Sequence, residues 1–228
     1  MDTLRQMQDI KLFEGVPEDK LKHLAARAAV KKFLPGKLIV GETDPIRSFY
    51  VVLSGRLKLY KSSPEGKEQT LQLLGPGDPF GLCTAFATDS FPASVTAIEE
   101  STVLRIPGEV LESVARQEPS LLLNIILILS QRLKDSMTLV ESLALKEIPG
   151  RLATFLLHDL SREAGTKNNR LELNISQREL AKILGATPEA LSRALRKMSN
   201  DGILIAAKRT MTVLDRQALE KLAEGQQS

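Results

Sequence analysis

Three polar side chains at helical spacing, Glu189, Ser192 and Arg193, are the residues of this sequence best suited to specific hydrogen bonding. Residues three and four apart lie on one face of a helix, so all three would point in the same direction. An arginine on such a face can bond bidentately to guanine O6 and N7, and a glutamate can accept from cytosine N4. Their types and spacing therefore predict a surface on which Arg193 and Glu189 read one G·C base pair, and Ser192 suits a phosphate or secondary base contact.

The segment that carries these side chains, residues 177–198, predicts two short helices joined by a tight turn. Ser176 begins the first helix with a capping box, and Gly185 is free to adopt positive φ in the turn. Thr187 suits the N-cap of the second helix, and Pro188 suits its first position. This order is typical of a helix-turn-helix. The structural alternative is a helical hairpin whose outer face is merely solvated.

A β-hairpin with a basic tip follows the second helix. Apolar runs at 203–205 and 211–214 flank Lys208 and Arg209, and such a wing beside a recognition helix commonly meets phosphates. The formal net charge of +3 lies wholly in residues 147–228, which fits a phosphate-binding domain and equally an ordinary solvated surface. The phosphate or secondary base contacts that we expect come from Ser176, Gln177, Thr187, Arg196, Lys197, Lys208 and Arg209.

The composition argues against several other classes of protein. With 228 residues, 43% of them hydrophobic, the chain can form one large or two ordinary domains. No apolar run is long enough to span a bilayer and no signal peptide is recognisable, so we expect a cytoplasmic protein without membrane contacts. A single cysteine cannot supply a disulfide or a four-cysteine iron–sulfur cluster, and the two histidines show no metal-ligand spacing.

The elements before the helical segment fall into a β-rich part and a long helix. Short alternating runs separated by turn residues over 30–107 predict an antiparallel sandwich or barrel. Pro119 begins a helix that extends to about Leu145, and Pro149-Gly150 then interrupts the helical pattern. We therefore expect domains at 1–117, 118–146 and 147–228.

The long helix carries an apolar seam at spacing 3-4-3-4-3, which is the pattern of a coiled-coil contact. It predicts self-association, and the alternative is a helix that packs on its own β domain. The seam consists of Ile126, Leu129, Leu133, Ser136, Val140 and Leu143.

The order of these parts resembles the CRP/FNR family of transcription regulators over nearly the whole chain. The matching pieces are Phe49-Tyr50-Val51-Val52, Ser54-Gly55, Glu65-Gly66, Gly77-Asp78, Phe80-Gly81 and Gly150-Arg151, with Glu189, Ser192 and Arg193 in the E-x-x-S-R pattern of the FNR branch. The resemblance implies an α+β fold with an antiparallel β-roll, a dimerisation helix and a winged helix-turn-helix. It also implies a homodimer that binds a palindrome of TTGAT- or TGTGA-like half-sites and works with RNA polymerase.

The chain departs from the family's cyclic-nucleotide binders at the residues that hold the ligand. Those proteins carry Gly-Glu after the phenylalanine and an Arg-Ser pair about ten residues later. Here Gly81 is followed by Leu82, and Phe91-Pro92 occupies the second region. A buried phosphate without a cationic partner is strongly disfavoured, so we expect no cAMP binding. The cysteine cluster of FNR is also absent, so no iron–sulfur cluster is expected.

Apolar residues take the place of those groups and suit a hydrophobic effector. Haem is the leading candidate, because the pattern resembles the nitric-oxide-responsive DNR-type branch. The alternative is that these side chains simply fill the roll. Cys83 and His23 are conceivable iron ligands, although a small buried thiol and a surface histidine are the simpler interpretations, and His158 is expected to be structural. The expected pocket consists of Phe80, Gly81, Leu82, Cys83, Phe86, Phe91, Val95, Leu133, Ser136 and Met137.

Three functions are compatible with these patterns. The first is a transcription regulator controlled by an effector in the roll, and the second is a constitutive regulator with a vestigial pocket. The third is a cupin-type metal enzyme, which would need a cluster of histidine and carboxylate ligands on the barrel strands. Because the sequence places neither histidine on those strands, we expect a regulator and not an enzyme.

Overall fold

The computed structural model describes residues 3–45, 47–86, 90–162, 169–173, 175–207 and 210–225. The chain divides into two compact units, residues 1–134 and 135–228, which are described separately below. Within these described ranges, no helix has the length and apolar character needed to cross a membrane.

The first unit is an antiparallel β-roll with helices at its N- and C-terminal ends. Its strands are β1 (Ala29–Phe33), β2 (Leu38–Val40), β3 (Ser48–Ser54), β4 (Leu57–Ser62), β5 (Glu68–Leu74), β6 (Pro79–Phe80), β7 (Ser94–Ala97) and β8 (Ser101–Pro107). Its helices are α1 (Thr3–Gln8), a 3₁₀ turn (Lys11–Phe13), α2 (Glu18–Ala25), α3 (Leu82–Phe86), α4 (Gly108–Ala115) and the first part of α5 (Pro119–Leu145).

Two four-stranded sheets form the roll, in the orders β1-β8-β3-β6 and β2-β7-β4-β5. All their strand pairs are antiparallel, as the alternating sequence pattern predicts. The interior side chains form one apolar cluster, which includes Tyr50, Phe80 and Phe91. A second cluster packs the opposite face of β3 and β8, through residues such as Phe49 and Ile106, against the helices. The interior of the roll is therefore distinct from the core beneath the helices.

The second unit contains the end of α5 and the helix-turn-helix. Its further elements are α6 (Ile148–Arg162), β9 (Arg170–Glu172), α7 (Gln177–Ile183), α8 (Pro188–Asn200), β10 (Leu204–Ala207), β11 (Thr210–Val213) and α9 (Arg216–Ala223). The three strands form a sheet in the order β10-β11-β9. The sequence pattern identifies the hairpin of β10 and β11, but it predicts neither β9 nor α9.

The break between α5 and α6 is shorter than the sequence predicts. Only residues 146 and 147 separate the two helices, and Pro149 lies within the first turn of α6. A proline fits there because the first N–H groups of a helix have no intrahelical acceptor. The expected interruption at Pro149-Gly150 is therefore wrong, because both residues lie inside α6.

Arg151 joins three carbonyl groups around this break. Its Nε donates to the Lys146 oxygen at 2.8 Å, and its two terminal nitrogens donate to the oxygens of Leu143 at 3.0 Å and Leu184 at 3.1 Å. Leu143 belongs to the last turns of α5, and Leu184 is the C-cap of α7. One side chain thus ties the end of the long helix to the first helix of the helix-turn-helix.

Candidate DNA interface and effector site

The two helices of the helix-turn-helix begin at side-chain caps. Ser176 Oγ accepts from the backbone N–H of Glu179 at 3.1 Å, and Thr187 Oγ1 accepts from the N–H of Ala190 at 3.2 Å. Gly185 lies between the helices with φ of +61°, a conformation that glycine adopts without steric cost. Local residue choices therefore fix where each helix starts and how the turn is made.

The helix α8 has an apolar face and a polar face. Its apolar side buries Leu191, Ala194, Leu195 and Met198. Glu189 and Arg193 are exposed on the other side, and Ser192 is half-buried between the two faces. The sequence-predicted base-reading residues are thus brought together on one accessible helix surface.

The carboxylate of Glu189 is held in its charged form. Hydrogen bonds from its own backbone N–H and from the Thr187 hydroxyl lower its pKa, and the positive charge of Arg193 adds a smaller effect in the same direction. A carboxylate with a lowered pKa only accepts hydrogen bonds at neutral pH. Glu189 can therefore serve as an acceptor for a base amino group.

The other expected DNA contacts come from the start of α7, from α8 and its N-cap, and from the hairpin that follows. The side chains of Ser176, Gln177, Thr187, Arg196 and Lys197 are exposed. The strands β10 and β11 pair in the predicted hairpin, with Ala207 opposite Thr210. Lys208 and Arg209, the expected wing tip, lie outside the described residues.

In the roll, three of the expected pocket residues meet in the interior. Phe80 and Val95 are completely buried, and Phe91 is 3% exposed. The ring of Phe80 stacks on Tyr50 with centroids 4.8 Å apart and meets Phe91 edge-on at 6.5 Å. These aromatic rings pack against one another in the apolar cluster between the two sheets.

The neighbouring expected pocket residues lie elsewhere. Leu82 is buried in the cluster beneath the helices, whereas Cys83 and Phe86 are exposed. The expectation of a small buried thiol is therefore wrong. Gly81, between these groups, has φ of +81°, and a Cβ there would lie 2.6 Å from the Ser48 carbonyl oxygen. The turn after Phe80 consequently directs successive side chains into different environments.

The expected seam residues on α5 are largely accessible in the single chain. Val140 is 66% exposed and Leu133 is 65% exposed. Met137, which was expected in the pocket and not in the seam, is 66% exposed on the same helix. Ile126, Leu129 and Ser136 are also exposed, and Leu143 is half-buried. An apolar row of this length on one helix is a surface that a partner can cover.

A polar group at one end of the roll was not singled out from the sequence. Arg105 on β8 lies directly opposite Tyr50 on β3, and its Nε donates to Ser48 Oγ at 2.9 Å. Burial raises the pKa of the Tyr50 phenol, while Arg105 and Ser48 oppose that increase. The available signal was the alternation in β8, where Arg105 shares the interior side with Val103.

The residues present do not fit a haem. A flat macrocycle could enter between the sheets only if the buried rings of Phe80 and Phe91 moved aside. His23 is exposed on α2, and His158 Nε2 lies 3.5 Å from Asp135 Oδ1 in the second unit.

Across the described part of the chain, no group of three or more His, Cys, Asp or Glu residues could hold a metal ion.

Two family models match successive parts of the chain. Residues 30–118 match the cyclic nucleotide-binding domain, and residues 150–222 match the Crp-like helix-turn-helix domain. These two regions correspond to the β-roll with α4 and to the helix-turn-helix with its flanking elements.

Known transcription regulators match most of this chain. The transcriptional activator protein Anr of Pseudomonas protegens is 30% identical over 192 residues, which cover 83% of this chain and 78% of that protein. The CRP-like cAMP-activated global transcriptional regulator of Mycobacterium tuberculosis is 26% identical over 215 residues, covering 93% and 96%.

Among solved structures, FixK2 of Bradyrhizobium japonicum has a TM-score of 0.76 at 28% identity, over 86% of this chain and 96% of that chain. The predicted fold of roll, long helix and winged helix-turn-helix is confirmed by these matches. The protein belongs to the CRP/FNR family of DNA-binding transcription regulators.

Proposed function

We propose that this protein is a homodimeric regulator that reads a palindrome of TTGAT- or TGTGA-like half-sites and responds to an effector other than cAMP. The main support for the proposal is the surface of α8, where Glu189 and Arg193 are exposed beside Ser192. The helix is capped by Thr187 and packed through its apolar face. An exposed Arg and Glu four residues apart are the side chains that discriminate a G·C pair in the major groove.

Each exposed residue has an assigned role. Arg193 bonds guanine O6 and N7, Glu189 accepts from cytosine N4, and Ser192 adjusts the neighbouring preference. The remaining polar side chains position the protein by contacting phosphates or make secondary base contacts. This second set comprises Ser176, Gln177, Thr187, Arg196, Lys197, Lys208 and Arg209.

Dimerisation through α5 supplies the symmetry that a palindrome requires. The exposed seam that contains Leu133 and Val140 would pair with the same seam of a second copy. Two recognition helices can then enter successive major grooves, about 34 Å apart. Val140→Glu should give a monomer in sedimentation equilibrium, whereas Gln131→Glu, on the opposite side of α5, should remain dimeric. A dimeric Val140→Glu would contradict this arrangement.

The effector is proposed to be neither cAMP nor any ligand that depends on the family's Glu and Arg-Ser groups. The buried Leu82 and Phe91 occupy those positions here. Haem and nitric-oxide sensing stay predictions from the sequence, and the burial of the Phe80 and Phe91 rings disfavours haem. The same burial supports the second candidate, a constitutive regulator whose roll has no effector. RNA polymerase is the proposed partner in either case.

A mobility-shift assay tests the base-reading proposal. Wild type and Arg193→Ala are compared on a TTGAT/TGTGA palindrome and on a scrambled duplex, with Lys197→Ala as the control for a phosphate contact. We expect Arg193→Ala to lose roughly tenfold to a hundredfold in affinity for the palindrome only. Lys197→Ala should weaken both duplexes similarly. Equal binding of the palindrome by wild type and Arg193→Ala would overturn the assigned role.

The same assay separates the two candidate functions. Binding of wild type is measured alone, with cAMP and with haem, and haem binding is followed by its Soret band. Tight binding without additions favours the constitutive regulator, and unchanged binding with cAMP is expected for both candidates. A Soret shift would restore haem, and activation by cAMP would contradict the proposed effector class.

A further inference from the structure

Arg105 is a half-buried cation whose charge is not paired. Its Nε donates to Ser48 Oγ at 2.9 Å, and no carboxylate of the described residues lies within 4.0 Å of the guanidinium. Charged side chains removed from water are normally paired, because an unpaired charge is costly to desolvate. Apart from the hydrogen bond that Arg105 shares with the Tyr50 phenol, its terminal nitrogens are therefore available to an anionic group from outside the chain.

Two hydroxyl groups lie beside this cation. Ser48 is completely buried, and Tyr50 is 5% exposed. Tyr50 is the direct cross-strand neighbour of Arg105, and its phenol interacts with both Arg105 and Ser48. The carboxylate of Asp44 also influences Tyr50, but its Oδ2 is held by the Gly41 N–H at 2.7 Å. A cation and two hydroxyls in one place can donate several hydrogen bonds to an oxyanion.

This polar group adjoins the aromatic interior of the roll. The ring of Tyr50 stacks on Phe80, and a Cβ at Gly81 would lie 3.2 Å from Tyr50 Cδ2 and 3.4 Å from Phe91 Cε2. A ligand that places an anionic group at Arg105 would therefore direct its body toward aromatic side chains. Such a combination fits a planar or apolar body better than a polar sugar.

A second cation lies on the same side of the sheet. Arg105 pairs with Ala29 on β1, and Lys31, two residues further along β1, projects from the same face and is exposed. Positive charge at the open edge of the sheet attracts small anions toward the interior. This placement also provides a cation in the roll despite the loss of the family's usual arginine position.

We infer that Arg105, Tyr50 and Ser48 form the anion-recognising end of an effector site, which takes a small organic oxyanion with an aromatic or apolar body. The inference rests on the proposed function of the roll as the sensing domain. The expected ligand is therefore a carboxylate or a phosphate ester, a chemical class that the apolar residues alone do not indicate.

The test uses the full chain with benzoate and phenyl phosphate as probes, and benzyl alcohol as the uncharged control. Binding is measured by isothermal titration at constant ionic strength, and thermal melts of each variant without probe check the fold. We expect at least one oxyanion to bind wild type, and Arg105→Gln to weaken that binding roughly tenfold to a hundredfold, as expected for charge-assisted hydrogen bonds. Tyr50→Phe should have a smaller effect, and Arg27→Gln, a change at an exposed arginine of the same unit, should have none.

Two outcomes would overturn the inference: neither oxyanion binds wild type, or Arg105→Gln with an unchanged melt binds the oxyanion as tightly as wild type. Preference for benzoate or for phenyl phosphate identifies the type of anionic group. Binding of wild type to the palindrome and to a scrambled duplex is measured in parallel, without a probe and with each probe at saturation. Failure to prefer the palindrome in every one of these conditions would contradict the proposed DNA function and leave the anion site intact, so the two failures are distinguishable.

Discussion

The recognition helix and the β-roll use their side chains in opposite ways. In α8 the apolar residues hold the helix in place, while Glu189 and Arg193 are exposed and make no contribution to the core. In the roll, Phe80 and Phe91 are both the expected ligand contacts and the core itself. The proposed DNA reading can therefore change without loss of stability, whereas a new effector in the proposed pocket must be accommodated by the same residues that stabilise the fold.

This difference predicts where a substitution changes stability and where it changes binding alone. Substitutions in the two regions test this difference.

Phe80→Ala should be strongly destabilising. The side chain is completely buried between Tyr50 and Phe91, and truncating a buried phenylalanine costs about 3–5 kcal/mol through lost burial and the cavity left behind. Urea unfolding gives the change in the free energy of unfolding. The control is Phe86→Ala, because Phe86 is 37% exposed and should cost much less. Similar losses in the free energy of unfolding for Phe80→Ala and Phe86→Ala would contradict the expected difference between a buried and an exposed position.

Arg151→Ala should destabilise the second unit by about 1.5–3 kcal/mol, as expected when hydrogen bonds from a charged group are lost. The guanidinium donates to carbonyl oxygens of Leu143, Lys146 and Leu184, and no alanine can replace those bonds. Arg151→Lys should recover only part of the loss, since one ammonium group cannot reach all three acceptors in the same planar arrangement.

The effect of Arg151 on DNA binding is measured with palindromes whose spacer is one base pair shorter or longer. We expect wild type to discriminate strongly between spacers and Arg151→Ala to discriminate less, because the end of α5 is no longer tied to α7. If Arg151→Ala lowers stability but keeps the spacer preference of wild type, the side chain is structural and does not orient the helix-turn-helix.

Thr187→Ala should cost about 0.5–2 kcal/mol, the usual loss for removal of an N-cap side chain. The hydroxyl accepts from the Ala190 N–H at the start of α8. Thr187→Ser keeps the oxygen and should be close to wild type. Chemical denaturation measures the change, and an unaltered Thr187→Ala would show that the cap is not needed to start the recognition helix.

Glu189 should titrate below the ordinary pKa of a glutamate, 4.5, because its backbone N–H and the Thr187 hydroxyl stabilise the charged form. A lowered pKa in the folded state adds stability above the unfolded-state pKa, and this contribution is lost as the pH falls through the folded-state value. NMR titration of the carboxyl carbon measures the pKa. Thr187→Val should raise it toward the ordinary value, and an unshifted pKa in wild type would contradict the described hydrogen bonds.

The sequence predicted the helix-turn-helix in detail because local residue types determine it. The caps at Ser176 and Thr187, the proline after the second cap and Gly185 in the turn act within a few residues of their positions. The prediction missed the start of α6 since Pro149 ends one helical pattern and also suits the first turn of the next. Proline is compatible with both interpretations.

The polar group at the end of the roll could not be predicted from local sequence patterns. Ser48 and Arg105 are 57 residues apart, and they meet only because β3 pairs with β8 in one particular register. The separation of Leu82 from Phe80 likewise depends on the backbone at Gly81, which turns the chain from one core cluster toward the other. Apolar composition indicates burial but does not specify which of two cores a residue joins.

The hydrogen bonds of Arg151 have a consequence for how the two halves of such a protein can be recombined. A chimera joined at residue 147 would still offer Arg151 the backbone carbonyls at 143 and 146, which any residue supplies, but a foreign helix end would set their positions, although both lie in the unit that begins at residue 135. Exchange between relatives should therefore succeed more often when the crossover falls before the last turns of α5. The unit to transfer between relatives is the helix-turn-helix together with α6 and the last turns of α5.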